Sequence, residues 1–287
     1  MQTFREATAT AKEQGRALGH FNISDSNQLT ALAAAARETQ LPVIVGLSEG
    51  EREFFPLEAV RLLIDLYNKQ GLKLYLNADH TYSVEKARLA IDAGVDSIVI
   101  DGAKLPHEDN LALVKSVVVY ARESGRDVVV EGELGYIGQS SQVIEKIPEG
   151  AAITEEMMTH VDEARRFIEA TGIDMLAPAV GNIHGIVTSG QPKLSIERIR
   201  ELASGVSIPL VLHGGSGSPD TEFSEAIQAG IAIIHINTEL RIMYKEGIEK
   251  AIAQMPHEAS PYKFLAPAVA DMERFIAQKV KLFAGLN

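Results

Sequence analysis

Short apolar runs rich in β-branched residues alternate with stretches of helical periodicity along almost the whole chain. Eight runs predict β-strands, at residues 17–23, 41–47, 73–79, 97–102, 127–133, 175–180, 209–215 and 232–237. The stretches between them predict helices at 26–39, 56–70, 83–93, 110–123, 159–171, 195–203, 220–229 and 238–253. Strands that alternate with amphipathic helices are typical of βα units in a parallel sheet.

Eight βα units favour a closed (β/α)8 TIM barrel over an open doubly wound sheet. A further amphipathic stretch near 267–283 predicts an extra C-terminal helix. The chain has 287 residues, close to the roughly 250 of a typical single barrel. No Pro/Gly-rich linker interrupts the pattern, so we predict one α/β domain over residues 1–287.

The composition of the chain limits which binding partners and which cellular compartment are expected. Net charge is −12, from 27 basic and 39 acidic residues, which argues against nucleic acid or an anionic membrane as partner. Cysteine is absent, so a metal would need nitrogen and oxygen ligands, and a reducing compartment is expected. The N-terminus lacks the apolar run of a signal, and no span of about 18 apolar residues occurs. We therefore expect a cytoplasmic protein with a small-molecule substrate.

Three histidines follow apolar runs at the ends of predicted strands three, six and seven: His80, His184 and His213. The carboxyl ends of barrel strands form one face, on which barrel enzymes carry their active sites. Three imidazoles with an open fourth position are typical of a catalytic zinc site. For each histidine alone, a hydrogen-bonded structural role is the competing interpretation. Together they predict a metal centre.

Acidic residues accompany these histidines. Asp79 directly precedes His80 on its strand, so strand alternation predicts that the two side chains point to different sides. A general base beside the metal is one interpretation of Asp79, and a cap of the next helix is the other. Glu131 and Glu133 end strand five and should face one side. Either carboxylate is then a supporting or alternative metal ligand, or half of a structural ion pair.

Glycine-rich and polar segments after strands seven and eight predict a phosphate site. HGGSG (213–217) and the pair Asn237-Thr238 each open a helix, where backbone N–H groups can bind an anion. The longest irregular segments, 135–150 and 185–193, lie at the same face, where long loops are often functional. Strands five to eight contain no lysine, which disfavours Schiff-base chemistry.

Motifs along nearly the whole chain resemble those of the class II, zinc-dependent ketose-bisphosphate aldolases, the fructose- and tagatose-bisphosphate aldolase family. They are GHFNISD (19–25), PVIVGLSEG (42–50), LNADHT, SIVIDGAKLP, VEGELG, LAPAVGNIHG, QPKL, PLVLHGGSG and NTELR, in the order and spacing of that family. The resemblance implies that Asp79 is the catalytic acid/base. It implies three zinc ligands, His80, His184 and His213, with Glu133 near the metal. It implies phosphate contacts at Gly185, Gly214, Ser216, Asn237 and Thr238.

The implied reaction is reversible aldol cleavage of fructose 1,6-bisphosphate or tagatose 1,6-bisphosphate to dihydroxyacetone phosphate and glyceraldehyde 3-phosphate. The resemblance further implies one Zn²⁺ per chain, with other divalent metals open, a monovalent cation near the phosphate, and a homodimer or homotetramer. Proton transfer by Asp79 at the C4 hydroxyl would need no covalent intermediate.

Two departures from the family pattern lie on strand eight. His235 stands where relatives carry an asparagine that contacts the substrate, and Ile233 replaces a lysine. Both changes are expected to touch the substrate, so His235 is a candidate substrate contact. They leave three alternatives open: a different phosphorylated ketose or aldehyde acceptor, an isomerase or epimerase, and a non-catalytic metal-binding subunit.

Overall fold

Ten strands occur in the computed structural model, which describes residues 2–138, 142–147 and 149–286. They are β1 Leu18–Asn22, β2 Val43–Leu47, β3 Leu74–Thr81, β4 Ser97–Ile100, β5 Val129–Leu134, β6 Val143–Ile144, β7 Met175–Pro178, β8 Ile186–Val187, β9 Leu210–Leu212 and β10 Ile231–Ile236. All but β6 and β8 form a closed parallel barrel in the order β1-β10-β9-β7-β5-β4-β3-β2. The predicted (β/α)8 barrel is confirmed.

Helices surround this barrel. They are α1 Phe4–Glu13, α2 Ser26–Thr39, α3 Glu49–Phe54, α4 Leu57–Lys69, α5 Val84–Asp92, α6 His107–Glu123, α7 Val161–Thr171, α8 Ile196–Gly205, α9 Asp220–Ala229, α10 Thr238–Gln254, α11 Pro261–Phe264 and α12 Ala266–Phe283. Every helix predicted from the sequence is present within a few residues. The extra C-terminal helix is α12, which packs between α10 and α2. A close approach at Gly247, where an added Cβ would lie 2.7 Å from the Ala268 Cβ, permits this packing.

Helix α1 was not predicted, and it closes the amino end of the barrel. A capping box starts it, in which Thr3 and Glu6 satisfy each other's backbone N–H groups. Its apolar face joins the barrel-interior cluster, where the Phe4 ring packs edge-on against Tyr75 with centroids 5.4 Å apart. Burying such an aromatic ring contributes about 2 to 3 kcal/mol. Helix α1 thus covers the end of the barrel opposite to the carboxyl face, where the candidate site residues are predicted.

The two long segments after β5 and β7 are not wholly irregular. Val143–Ile144 pairs in parallel with Ile186–Val187, giving the two-stranded sheet β6-β8. Ile144 and Val187 also belong to a small apolar cluster with Ile183. This pairing ties the two loops together over the carboxyl end of the barrel. Residues 139–141 and 148 of the predicted loop lie outside the described residues.

The short helices α3 and α11 were also absent from the sequence prediction. Each is under two turns long, so hydrophobic periodicity gives too few repeats to detect it. Within the described part of the chain, no helix is both long and apolar enough to cross a membrane.

Candidate active site

The three predicted histidine ligands meet at the carboxyl end of the barrel. His80 lies near the end of β3, His184 follows β7, and His213 directly follows β9. Their ring centroids are 4.8 Å (His80 to His184), 5.0 Å (His80 to His213) and 5.7 Å (His184 to His213) apart. The rings are nearly perpendicular to one another, and one nitrogen of each lies within 4.8 Å of the others. Barrel closure thus brings together residues more than 130 positions apart.

Each of these rings is oriented by a hydrogen bond from its second nitrogen. His80 Nδ1 donates to Asp101 Oδ2 (3.1 Å), and His184 Nδ1 donates to the Gly138 carbonyl (2.7 Å). His213 Nε2 donates to Glu131 Oε1 (2.6 Å). In the neutral form of each ring, these bonds select the tautomer that leaves Nε2 of His80, Nε2 of His184 and Nδ1 of His213 unprotonated, which is how metal-binding histidines are commonly held.

The orientation of Asp79 and His80 differs from the prediction. His80 has a left-handed backbone, with φ +36°, and the β3–β4 register shifts between Ala78 and Thr81. Strand alternation is therefore broken at this point. Both side chains face the pocket, and His80 Nε2 lies 3.8 Å from Asp79 Oδ1. The expectation that they point to different sides is wrong, because one non-glycine residue in a left-handed conformation redirects the chain.

Asp79 is a buried carboxylate with its two oxygens in different surroundings. Oδ2 accepts a hydrogen bond from Asn22 Nδ2 (2.9 Å). Oδ1 lies 3.5 Å from His235 Nδ1. Burial alone would raise the pKa of Asp79. The positive charge of the His80 imidazole and the contact with His235 outweigh burial and hold that pKa well below its usual range. Asp79 is therefore ionised and able to accept a proton.

The electrostatics of the site favour a cation. Desolvation would lower the pKa of His80, but Asp79 and Asp101 raise it to about 10. Desolvation raises the pKa of both Glu131 and Glu133 well above the usual value, and neighbouring carboxylates add to the rise. Buried carboxyl groups are thus crowded around the three imidazoles. A divalent metal would stabilise their ionised forms and so lower the cost of burying them together.

The residues present fit such a metal. Desolvation lowers the pKa of His184 to about 4 and that of His213 well below its usual value, so both are neutral, as metal ligands must be. His213 Nδ1 is buried without a hydrogen-bond partner among the described atoms. Glu133 Oε2 lies 3.7 Å from His80 Nδ1 and 4.0 Å from His213 Nδ1. Glu133 is therefore close enough to support the centre or to act as an alternative ligand.

The predicted phosphate contacts line the same pocket, which they share with Asn22, Asp79 and the histidines: Gly185, Gly214, Ser216, Asn237 and Thr238. Ser216 Oγ accepts hydrogen bonds from the backbone N–H groups of Asn237 (3.3 Å) and Glu239 (3.4 Å), where α10 begins. Gly214 has φ +63°, and an added Cβ would lie 2.2 Å from the Ile183 carbonyl oxygen. Only glycine allows this turn, so the backbone can approach a ligand closely.

The two departures on β10 have different positions. His235 lines the pocket beside Asp79. Ile233 instead lies in the barrel-interior cluster with Val211 and Tyr75, 1% exposed. The expectation that Ile233 touches the substrate is wrong, because a residue two positions earlier on the same strand face lies one layer deeper in the barrel.

The sequence analysis did not identify two residues of this region, His20 and Asn22 on β1. Both point into the barrel, and Asn22 holds Asp79. The sequence does contain a signal for both residues, because they alternate with apolar residues. Polar residues at every second position of an apolar strand indicate a polar interior site. Lysine is absent from the described residues that line the pocket. Lys104 lies elsewhere, with Nζ 5.6 Å from the centre of the Tyr136 ring.

A parallel barrel with a histidine cluster and a buried carboxylate at its carboxyl face defines the class of metal-dependent barrel enzymes. Residues 2–287 match the family described as fructose-bisphosphate aldolase class-II, and the chain belongs to that family. A fructose-bisphosphate aldolase of Staphylococcus aureus is 34% identical over 99% of this chain and 98% of its own. A probable fructose-bisphosphate aldolase of Bacillus subtilis is 35% identical over 98% and 97%.

Solved structures agree with the fold. The YdjI aldolase from Escherichia coli superposes with a TM-score of 0.81 at 28% identity, covering 97% of this chain and 96% of that one. A putative fructose-1,6-biphosphate aldolase from Coccidioides immitis gives 0.82 at 23% identity over 99% and 96%, a likeness of fold. Membership of the family and the likeness to the Staphylococcus and Bacillus relatives make the protein an aldolase of the lyase class that cleaves a phosphorylated ketose, in a family that generally depends on a metal.

Proposed function

We propose that this protein is a zinc-dependent aldolase that reversibly cleaves fructose 1,6-bisphosphate or tagatose 1,6-bisphosphate to dihydroxyacetone phosphate and glyceraldehyde 3-phosphate. His80, His184 and His213 would hold the metal, and Asp79 is the catalytic acid/base. The observation that carries the proposal is the convergence of three imidazole nitrogens within 4.8 Å, with the ionised Asp79 3.8 Å from one of them.

Asp79 moves the proton of the reaction. Its Oδ2 is engaged by Asn22, so Oδ1 is the atom that takes the C4 hydroxyl proton as the C3–C4 bond breaks. In the condensation direction the same oxygen returns that proton. Bound zinc would supply Lewis-acid stabilisation of the negative charge that develops on the ketone oxygen.

The substrate phosphate binds beside this centre. Gly185, Gly214 and Ser216 present close backbone and a hydroxyl, and Asn237 and Thr238 stand where α10 begins. The amino end of a 17-residue helix favours an anion through its dipole. His235 contacts the sugar between this phosphate site and Asp79.

Finer features complete the proposal. Zinc is favoured by three nitrogen ligands with no thiolate, and Glu133 supports it as a neighbouring or alternative ligand. The family resemblance supports a monovalent cation near the phosphate and a homodimer or homotetramer. The uninterrupted βα pattern supports a single domain, and the cysteine-free composition supports a cytoplasmic location.

The test is aldol cleavage by metal-loaded and chelator-treated protein. The panel contains fructose 1,6-bisphosphate, tagatose 1,6-bisphosphate and the corresponding 1-phosphates, with triose phosphate measured in a coupled dehydrogenase assay. We expect metal-dependent release from at least one bisphosphate. Release from a 1-phosphate alone would favour a different ketose. If protein that holds one metal per chain cleaves none of these sugar phosphates, the proposal is contradicted.

A further inference from the structure

Three imidazole rings form a stack that reaches the pocket, and His235 is the middle one. Its centroid is 3.6 Å from that of His20, at an interplanar angle of 6°, and 4.0 Å from that of His213, at 26°. His20 and His235 are direct partners in the β1–β10 register. Both faces of the His235 ring are therefore covered, and the ring cannot turn without displacing a neighbour.

His20 is itself fixed from two directions. Its Nε2–H donates to Asn77 Oδ1 (3.0 Å), and Asn77 Nδ2 donates to Ser97 Oγ (2.8 Å), which fixes the amide. The ring fills the space left by Gly46, where an added Cβ would lie 2.1 Å from His20 Cε1. His20 is 1% exposed and is not among the pocket-lining residues. Its ring stacks on His235, which does line the pocket.

The stack controls access to the proton-accepting oxygen of Asp79. Because Asn22 occupies Oδ2, a substrate hydroxyl must approach Oδ1. That atom is flanked by His80 Nε2 at 3.8 Å and by His235 Nδ1 at 3.5 Å. The position of the His235 ring thus limits the direction from which a hydroxyl can arrive. Two ketoses that are epimers at C4 present this hydroxyl on opposite faces of the carbon chain.

A second metal ion in this region is a weaker interpretation. His20, Asp79 and His235 offer ligand atoms within 4.8 Å of one another. However, a metal ligated by imidazole lies near the plane of the ring, and the two rings are parallel planes 3.6 Å apart at their centres. One ion cannot lie in both planes, so the stack favours a positioning role.

We propose that His20 is a positioning residue that holds His235 beside Asp79 and thereby sets which C4 epimer of the phosphorylated ketose is cleaved. The inference rests on the proposed function, in which Asp79 accepts the C4 hydroxyl proton.

The test compares kcat/KM for fructose 1,6-bisphosphate and tagatose 1,6-bisphosphate, which differ only at C4. We expect the metal-loaded wild-type enzyme to prefer one epimer. In His20→Ala the preference should fall by about tenfold, since a small displacement of a group beside the reacting atoms costs rate steeply. The change should appear in kcat more than in KM, with metal content unchanged.

Two further variants separate positioning from general damage. Asn77→Ala keeps both imidazole rings but removes the hydrogen bond that anchors His20. It should shift the ratio of the two kcat/KM values, the epimer ratio, in the same direction as His20→Ala. This variant also provides the test if His20→Ala does not fold. His20→Phe restores a flat ring face and should recover the ratio. Ile44→Ala is the control, because Ile44 is the β2 register partner of His20 and its loss should lower both activities equally.

The outcomes are distinct. An unchanged epimer ratio in folded, metal-loaded His20→Ala or Asn77→Ala overturns the inference and leaves the proposed function standing. A wild-type enzyme that cleaves both epimers equally also overturns it. Failure of the wild-type enzyme to cleave either epimer would remove the proposed function, and the inference with it.

Discussion

Single residues at this site acquire their properties from burial and from their immediate neighbours. Asp79 is held ionised because positive charge at His80 and the His235 contact outweigh its desolvation. His213 is held neutral by desolvation while Glu131 fixes its tautomer. Neither state follows from the residue type alone. An ionised carboxylate beside the histidine cluster is what a general base needs in order to accept a proton.

Replacing the proposed base gives a prediction at the residue scale. Asp79→Asn should lower kcat by about 10²- to 10⁴-fold, because a neutral amide cannot accept the proton. Metal content, measured by elemental analysis, should stay at the wild-type level. If metal and activity were lost together, Asp79 would be a ligand or structural residue instead. Asp109→Asn, on α6, is the matched control and should change neither quantity.

At the scale of elements, strand ends and helix starts build the site. The β9–α9 turn and the first turn of α10 meet at Ser216, whose hydroxyl accepts from the backbone of Asn237 and Glu239. The β6-β8 sheet joins the loops that carry Gly138 and His184. Each element thus contributes by fixing the backbone of its neighbour.

Removing the hydroxyl of Ser216 tests the phosphate site. Ser216→Ala should raise KM for the phosphorylated ketose by about tenfold, the effect of one lost hydrogen bond to a charged group. Affinity for zinc, measured by chelator competition, should be nearly unchanged. An equal loss of both affinities would show that the hydroxyl supports the whole face rather than the phosphate.

Helix α1 provides a second prediction at this scale. Phe4→Ala removes the ring that packs on Tyr75. The free energy of unfolding, measured by urea denaturation, should fall by about 3 to 4 kcal/mol. Because α1 closes the end opposite the active face, kcat should not change. Glu13→Ala, an exposed position on the same helix, should change stability by less than about 0.5 kcal/mol. A large fall in kcat would mean that the two ends are coupled.

At the scale of the whole molecule, eight of the described strands close into a barrel whose carboxyl end concentrates buried carboxylates and imidazoles. Asp79, Asp101, Glu131 and Glu133 are each at most 4% exposed. Burying several ionisable groups together opposes folding unless a cation offsets them. Metal binding should therefore stabilise the folded barrel as well as enable its chemistry.

Chelation tests this coupling. At a free metal concentration about 1,000 times its dissociation constant, binding stabilises the folded state by about 4 kcal/mol. The chelated protein should therefore have a clearly lower Tm and no aldolase activity, and adding Zn²⁺ should restore both. In His213→Ala the Tm should no longer respond to the chelator. An unchanged Tm in chelated wild-type protein would contradict metal binding by the folded barrel.

The sequence by itself determined the barrel, because strand and helix periodicities are local and repeat eight times. It also identified the residues that converge at the carboxyl face, since strand ends in a parallel barrel must meet there. Helix α1 could have been predicted from its capping box, whereas α3 and α11 are too short to show a period. The single-domain prediction over residues 1–287 and the individual roles of the site residues stay predictions.

Only the tertiary structure decided how the side chains are oriented. The left-handed turn at His80 reversed the expected direction of its side chain, and the depth of Ile233 removed it from the pocket. The stack of His20 on His235 joins residues 215 positions apart whose contact depends on barrel closure between β1 and β10. Periodicity specifies which face of an element is buried, but ring planes, tautomers and pKa values depend on neighbours that only the closed barrel supplies.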